Sequence, residues 1–263
     1  MPERQRGFVA VAHGSADPRA AAAIGELVPL VARRAAERGL SVPALRVAYL
    51  GHAAPSLPRV MRTFGPDAQV TVLPLLLTAA YHSKTDIPRL LDRHGGSARV
   101  MYGEPLGPHP LLIRALERHL PSAEEETGVV LAAAGSSDPE ANATIARLAA
   151  QWQAGSDWFA VRPAYASAPA GAEGQGRTAL DPATAVARLR EAGARRIVVA
   201  TYLLAPGLFA DRIREASLAA GAAAVSPALL PWPPAAEGGA LPEIADILLD
   251  RYQEVGTRQR AAA

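Results

Sequence analysis

Val9 to Pro18 reads VAVAHGSADP. An apolar run ends at His13-Gly14-Ser15, and Asp17-Pro18 then signals a helix, since Asp caps a first turn and Pro fits within it. A strand handed to a helix by a short turn is the building unit of a parallel sheet. The same unit returns at Leu73 to Pro88, LPLLLTAAYHSKTDIP, where a buried run leaves through a polar turn carrying His82. Working outward, the pattern predicts strands over 8–12, 45–50, 70–77 and 98–102. It predicts helices from Asp17 to a stop at Gly39, over 55–62, over 85–94 and over 110–120. The first of these carries an apolar face of Ile24, Leu27, Val28 and Val31. The expected fold is α/β, a parallel sheet with helices on both faces. Ligands of such sheets bind beyond the carboxyl ends of the strands, where His13 and His82 both fall.

The pattern then restarts. Val130–Pro139, VLAAAGSSDP, repeats Val9–Pro18 position for position. RPAY at Arg162–Tyr165 repeats RVAY at Arg46–Tyr49, and IVVATYLL at Ile197–Leu204 repeats VTVLPLLL at Val70–Leu77. Three matches in one order indicate a duplicated domain. The expectation is two tandem Rossmann/flavodoxin-like domains, each a four-stranded parallel sheet flanked by helices. They are placed at 1–122 and 128–255, parted by the acidic turn PSAEEETG, with a disordered tail from 256 to 263. The copies differ in chemistry: Ala134 stands for His13, and an ungapped match puts Phe209 in place of His82. A scaffold kept while both imidazoles are lost marks the histidines as functional.

Composition narrows the classes. The chain has 263 residues, 49% hydrophobic and 20% charged, and a formal charge of only +2. That balance argues against nucleic-acid binding driven by bulk charge. Cysteine is absent, which removes disulfides, thiolate zinc sites and iron–sulfur clusters. No apolar run approaches the roughly 20 residues of a membrane span, and the N-terminal run is too short for a signal peptide. A cytoplasmic protein is expected, with no nucleic-acid or membrane partner, as a monomer or weak dimer. No HExxH, GxSxG or P-loop pattern occurs.

Two imidazoles at the exits of two strands suit a divalent metal, because neutral histidine is the commonest transition-metal ligand and also titrates near neutrality. A two-histidine site leaves coordination positions open, as a protein that hands its metal on requires. Three stretches carry a family resemblance: VAHGSADP, PLLLTAAYHSKTDIP and EPLGPHPLL. Together and in this order they resemble the class II chelatases, the CbiX and SirB type sirohydrochlorin cobalto- and ferrochelatases, in the two-domain form with a degenerate second repeat. The resemblance implies a chelatase-like fold and insertion of Fe2+ or Co2+ into the tetrapyrrole sirohydrochlorin, for sirohaem or cobalamin biosynthesis. Iron is the favoured metal. It implies the metal as substrate and no organic cofactor. His13 and His82 become ligands and bases, while Gly14, Ser15, Tyr81, Ser83 and Lys84 become substrate contacts, with Arg19 and Arg59 as further candidates. Where the family usually carries an acidic residue after the second strand, this chain has Gly51 and Ala54, so His52 becomes the candidate third ligand. That departure keeps a second reading open, a non-catalytic tetrapyrrole- or metal-binding protein or metallochaperone. His109, His94 and His119 read as structural, Asp86 as a helix cap, Glu104 as a weaker cleft candidate, and Trp152, Trp158 and Trp232 as packing.

Overall fold

A computed structural model describes residues 5–78, 86–94, 98–123, 125–168, 179–233 and 242–261. The chain divides into two compact units, 1–111 together with 232–263, and 112–231.

The first unit is built on β1 (Arg6–Ala12), β2 (Leu45–Tyr49), β3 (Gln69–Pro74) and β4 (Arg99–Tyr102), all parallel in the order β2-β1-β3-β4. The chain leaves β1 for β2 on one side and returns to β3 on the other, so the switch point lies at the carboxyl ends of β1 and β3. β1 is sealed on both faces, which is why it reads as a continuous apolar run: Phe8 to Val11 are fully buried. One face packs Val9, Val11, Val70 and Val72 against Leu57 and Met61 of α3 (Leu57–Met61) and Ile87 and Leu91 of α4 (Ile87–His94).

The N-terminal helix is not continuous. It forms α1 (Pro18–Gly25) and α2 (Leu27–Glu37), broken at Glu26. Pro29 is the cause, since it lacks the N–H that would bond the Gly25 carbonyl and its ring crowds that oxygen. The break re-aims the apolar face, so that Leu27, Leu30 and Val31 are buried and Val28 only half so. β3 ends at Pro74, short of the expected Leu77.

The second unit repeats the order: β5 (Thr127–Ala133), β6 (Ala160–Tyr165), β7 (Arg196–Tyr202) and β8 (Ala224–Val225) are parallel and arranged β6-β5-β7-β8. Its helices are α6 (Pro139–Ala154), α7 (Pro182–Glu191) and α8 (Leu208–Ala219), with α5 (Pro110–Glu117) leading in. Trp152 and Trp158 pack edge to face in its core at 6.5 Å.

The sequence repeat and the packing units cut the chain differently. The last helix, α9 (Pro242–Ala261), packs on α2 and β3 of the first unit. It buries Ile244, Leu248, Leu249 and Tyr252, and the Tyr252 ring lies 4.6 Å from that of Phe8. Asp246 holds Arg34 through paired bonds of 3.0 and 2.9 Å. The tail from Gly256, expected to be disordered, continues α9 to Ala261. Among the described residues, no helix is long and apolar enough to cross a membrane.

Candidate metal and tetrapyrrole cleft

The turn after β1 is held open by backbone geometry. Gly14 has φ +90°, which disfavours any side chain, and a Cβ there would lie 1.7 Å from the Gly51 carbonyl oxygen. Sheet-like pairing runs past the strand ends: Leu50 N–H donates to the Ala12 carbonyl at 3.0 Å and Gly51 N–H to the His13 carbonyl at 3.1 Å. The two loops thus advance side by side. Ser15 Oγ accepts from Asp17 N–H at 3.0 Å, and Asp17 caps α1 by accepting from Arg19 N–H at 2.9 Å. The Arg19 guanidinium turns back onto the Asp17 carboxylate at 2.6 Å and lowers its pKa. Arg19 is therefore engaged with its own helix cap rather than aimed at a ligand, and Arg59 is exposed on α3 away from the cleft lining.

Beyond these loops lies a cleft of about 450 Å³ lined by His13, Leu50, Gly51, His52, Asp86, Arg89, Leu90 and Arg93. It opens at the carboxyl ends of β1 and β2, and His13 is exposed in it. His13 Nδ1 lies 3.1 Å from the Gly14 carbonyl. A carbonyl only accepts, so Nδ1 is the donor in this contact. Metal-binding histidines commonly fix their tautomer in this way.

His52 reaches the same cleft from a strained turn. It has φ +58°, unusual for a residue with a side chain, and Ala53 N–H donates across it to the Gly51 carbonyl at 2.8 Å. Such local strain costs about 1–3 kcal/mol and concentrates at functional sites. The carboxylate expected near Gly51 is absent there, although a side chain at Gly51 would meet nothing within 4 Å. Asp86, directly before α4, brings a carboxylate from another element.

The structure thus brings His13 and His52 together. Tyr81, His82, Ser83 and Lys84 lie outside the described residues. Among the described residues, no cluster of three or more His, Asp or Glu is disposed to hold a metal ion. His109 is placed elsewhere: its Nδ1 accepts from Leu111 N–H at 3.2 Å at the start of α5, and burial, then Arg251, lowers its pKa. Glu104 pairs with Arg258 at 3.6 Å outside the cleft. Sequence reasoning missed Arg89 and Arg93. The available signal was their four-residue spacing on α4, opposite the buried Ile87 and Leu91.

The second unit keeps the loop without the chemistry. Gly135 has φ +83°, Ser136 Oγ accepts from Asp138 N–H at 3.0 Å, and Ser167 N–H donates to the Ala134 carbonyl at 2.9 Å. Here Asn142 braces the turn, accepting from Ser136 N–H at 3.0 Å and donating to the Ser136 carbonyl at 2.8 Å. Ala21 occupies the matching place in the first unit and offers no such brace.

A family profile described as CbiX matches residues 7–123 and again 128–255. Among curated proteins, a sirohydrochlorin cobaltochelatase of Priestia megaterium is 26% identical over 156 residues, 56% of this chain and 48% of its own. A sirohydrochlorin ferrochelatase of Bacillus subtilis is 29% identical over 118 residues, 42% of this chain and 45% of its own. The chain thus spans about half the length of these two relatives. The solved structure of SirB from Bacillus subtilis with Fe3+ is similar across 98% of both chains, with a TM-score of 0.72 at 21% identity, a likeness of fold.

Proposed function

Because the chain belongs to the CbiX family, we propose that it is a sirohydrochlorin chelatase, inserting a divalent metal into the tetrapyrrole, with the cleft on the first unit as its site. The observation that carries this reading is His13, exposed in a cleft at the carboxyl ends of β1 and β2, with a second imidazole, His52, lining the same cleft. His13 and His82 are the proposed metal ligands and bases, with His52 as a weaker third ligand. Gly14, Ser15, Tyr81, Ser83 and Lys84 are the proposed contacts to the tetrapyrrole.

The chemistry asks little of the protein beyond position and basicity. Two pyrrole N–H protons leave as the metal enters. A metal-binding imidazole must itself be deprotonated, so one group can deliver the metal and then accept a proton. His13 suits both tasks as an imidazole whose Nδ1 is held by the Gly14 carbonyl. Its exposure allows loading and release. Iron is the proposed metal and cobalt the alternative. Relatives named for each metal exist at similar identity, and ligand affinity alone does not choose between them.

The test is spectroscopic. Sirohydrochlorin is mixed with Fe2+ or Co2+, with and without the protein, and the absorbance change on metallation is followed. Acceleration supports the proposal. Tight binding without acceleration favours the non-catalytic binding protein that the missing carboxylate at Gly51 leaves open.

A further inference from the structure

We propose that Arg89 and Arg93 form a carboxylate clamp that seats the tetrapyrrole over His13, a role that rests on the chelatase reading. The pair stands four residues apart on α4, one turn, so both side chains leave from one side of the helix. Ile87 and Leu91 hold the opposite side in the core, at 0% and 8% exposure, and so fix the helix that carries the arginines. Arg89, Leu90 and Arg93 line the cleft together with His13.

Two properties separate these arginines from an ordinary solvated face. Neither forms an ion pair with a carboxylate among the described residues, whereas Arg34 of α2 and Arg38 at its C-terminal cap, in the same unit, are taken up by Asp246 and Asp250. The lining also carries two guanidiniums against the single carboxylate of Asp86, a positive balance in a concave site, which draws in anions. Sirohydrochlorin is a flat macrocycle rimmed with carboxylates. Leu50 and Leu90 offer it apolar walls, and a planar guanidinium takes a carboxylate in a bidentate grip.

The second copy supplies a control within the chain. Aligning buried Ile213 with Ile87 also brings buried Ser217 onto Leu91. On that match, one residue short of the ungapped one that sets Phe209 against His82, Glu215 and Ala219 replace Arg89 and Arg93. The copy that lost His13 carries no guanidinium at either of these two places.

Binding of metal-free sirohydrochlorin and of a heavily carboxylated porphyrin to the full chain, read by fluorescence quenching, tests the clamp. Arg89→Gln and Arg93→Gln should each weaken binding about tenfold, the scale of a lost charge-assisted hydrogen bond. Arg→Lys at either site should recover part of the loss, and KM should rise more than kcat falls. A porphyrin whose carboxylates are amidated should bind wild type and double variant alike, which a merely structural defect would not produce. If the wild type binds both carboxylated tetrapyrroles and the double variant binds them equally well, the clamp is overturned and the chelatase reading stands. If the wild type binds neither, the chelatase reading fails and the clamp with it.

Discussion

Gly51 donates its backbone N–H to the His13 carbonyl at 3.1 Å, and the Gly51 carbonyl in turn occupies the space a side chain on Gly14 would need. The exits of β1 and β2 are thereby joined, and His13 and His52 line one cleft. The contact predicts an unequal response in the two copies. Gly14→Ala meets backbone at 1.7 Å and a positive φ together, while Gly135→Ala at φ +83° meets the Ser167 hydroxyl at 2.2 Å, a group that can rotate away. Gly14→Ala should cost upward of about 2 kcal/mol by urea denaturation, and Gly135→Ala nearer the 1–2 kcal/mol of a left-handed alanine. Only Gly14→Ala should also slow metallation. Equal losses of activity would show that the turn after β1 has no special part in the site.

His52 is held at φ +58°. Glycine tolerates that conformation, so His52→Gly should raise stability by about 1 kcal/mol, the left-handed penalty removed less the entropy glycine adds. Metallation should slow at the same time if the imidazole serves the metal. A stabilised variant with the wild-type rate would remove His52 from the site.

His109 ties stability to pH. Burial, and secondly Arg251, lower its pKa below the ordinary 6.5, so the fold favours the neutral ring whose Nδ1 accepts from Leu111 N–H. The unfolded chain then binds the proton more readily. Stability from this group is complete above the unfolded value and drains away as pH falls from there toward the lowered one. His109→Asn keeps an acceptor and does not titrate, so its melting temperature should fall less steeply below about pH 6.5. Parallel melting curves for the two proteins would contradict the linkage.

α9 belongs to the first sheet in packing, although it closes the second half of the sequence. It buries Ile244, Leu248, Leu249 and Tyr252, and each such side chain contributes about 1.5–3 kcal/mol by leaving water. Truncation after residue 231 should therefore expose the apolar face around Phe8, raise binding of a hydrophobic dye and broaden the thermal transition. A truncated chain that melts as sharply, and at the same temperature, would mean that α9 is dispensable to the first unit.

Much of this was legible before any coordinates. The strands, their parallel arrangement and the repeat followed from apolar runs, Asp-Pro helix starts and the recurrence of VAVAHGSADP as VLAAAGSSDP. The same pairing of Gly14 with Gly135 and Asp17 with Asp138 reappears in the structure as matching turns and caps. Tertiary partners were not legible. Pro29 breaks a helix whose periodicity alone looks continuous, and the burial of α9 on β3 is a long-range choice that no local pattern encodes. Arg89 and Arg93 read as an ordinary charged helix face, because only the fold shows which wall they share with His13.

The central claim is that His13 accepts the metal and a pyrrole proton in this cleft. It is tested most directly by metallation of sirohydrochlorin under saturating Fe2+ and Co2+, comparing wild type, His13→Ala, His82→Ala and, as a control in the second copy, Ala134→Ser. Each histidine variant should lose at least about a hundredfold in rate, the lower range for removing a positioned base. Each should keep its melting temperature, and Ala134→Ser should behave as wild type. A His13→Ala protein that metallates sirohydrochlorin at the wild-type rate would contradict it.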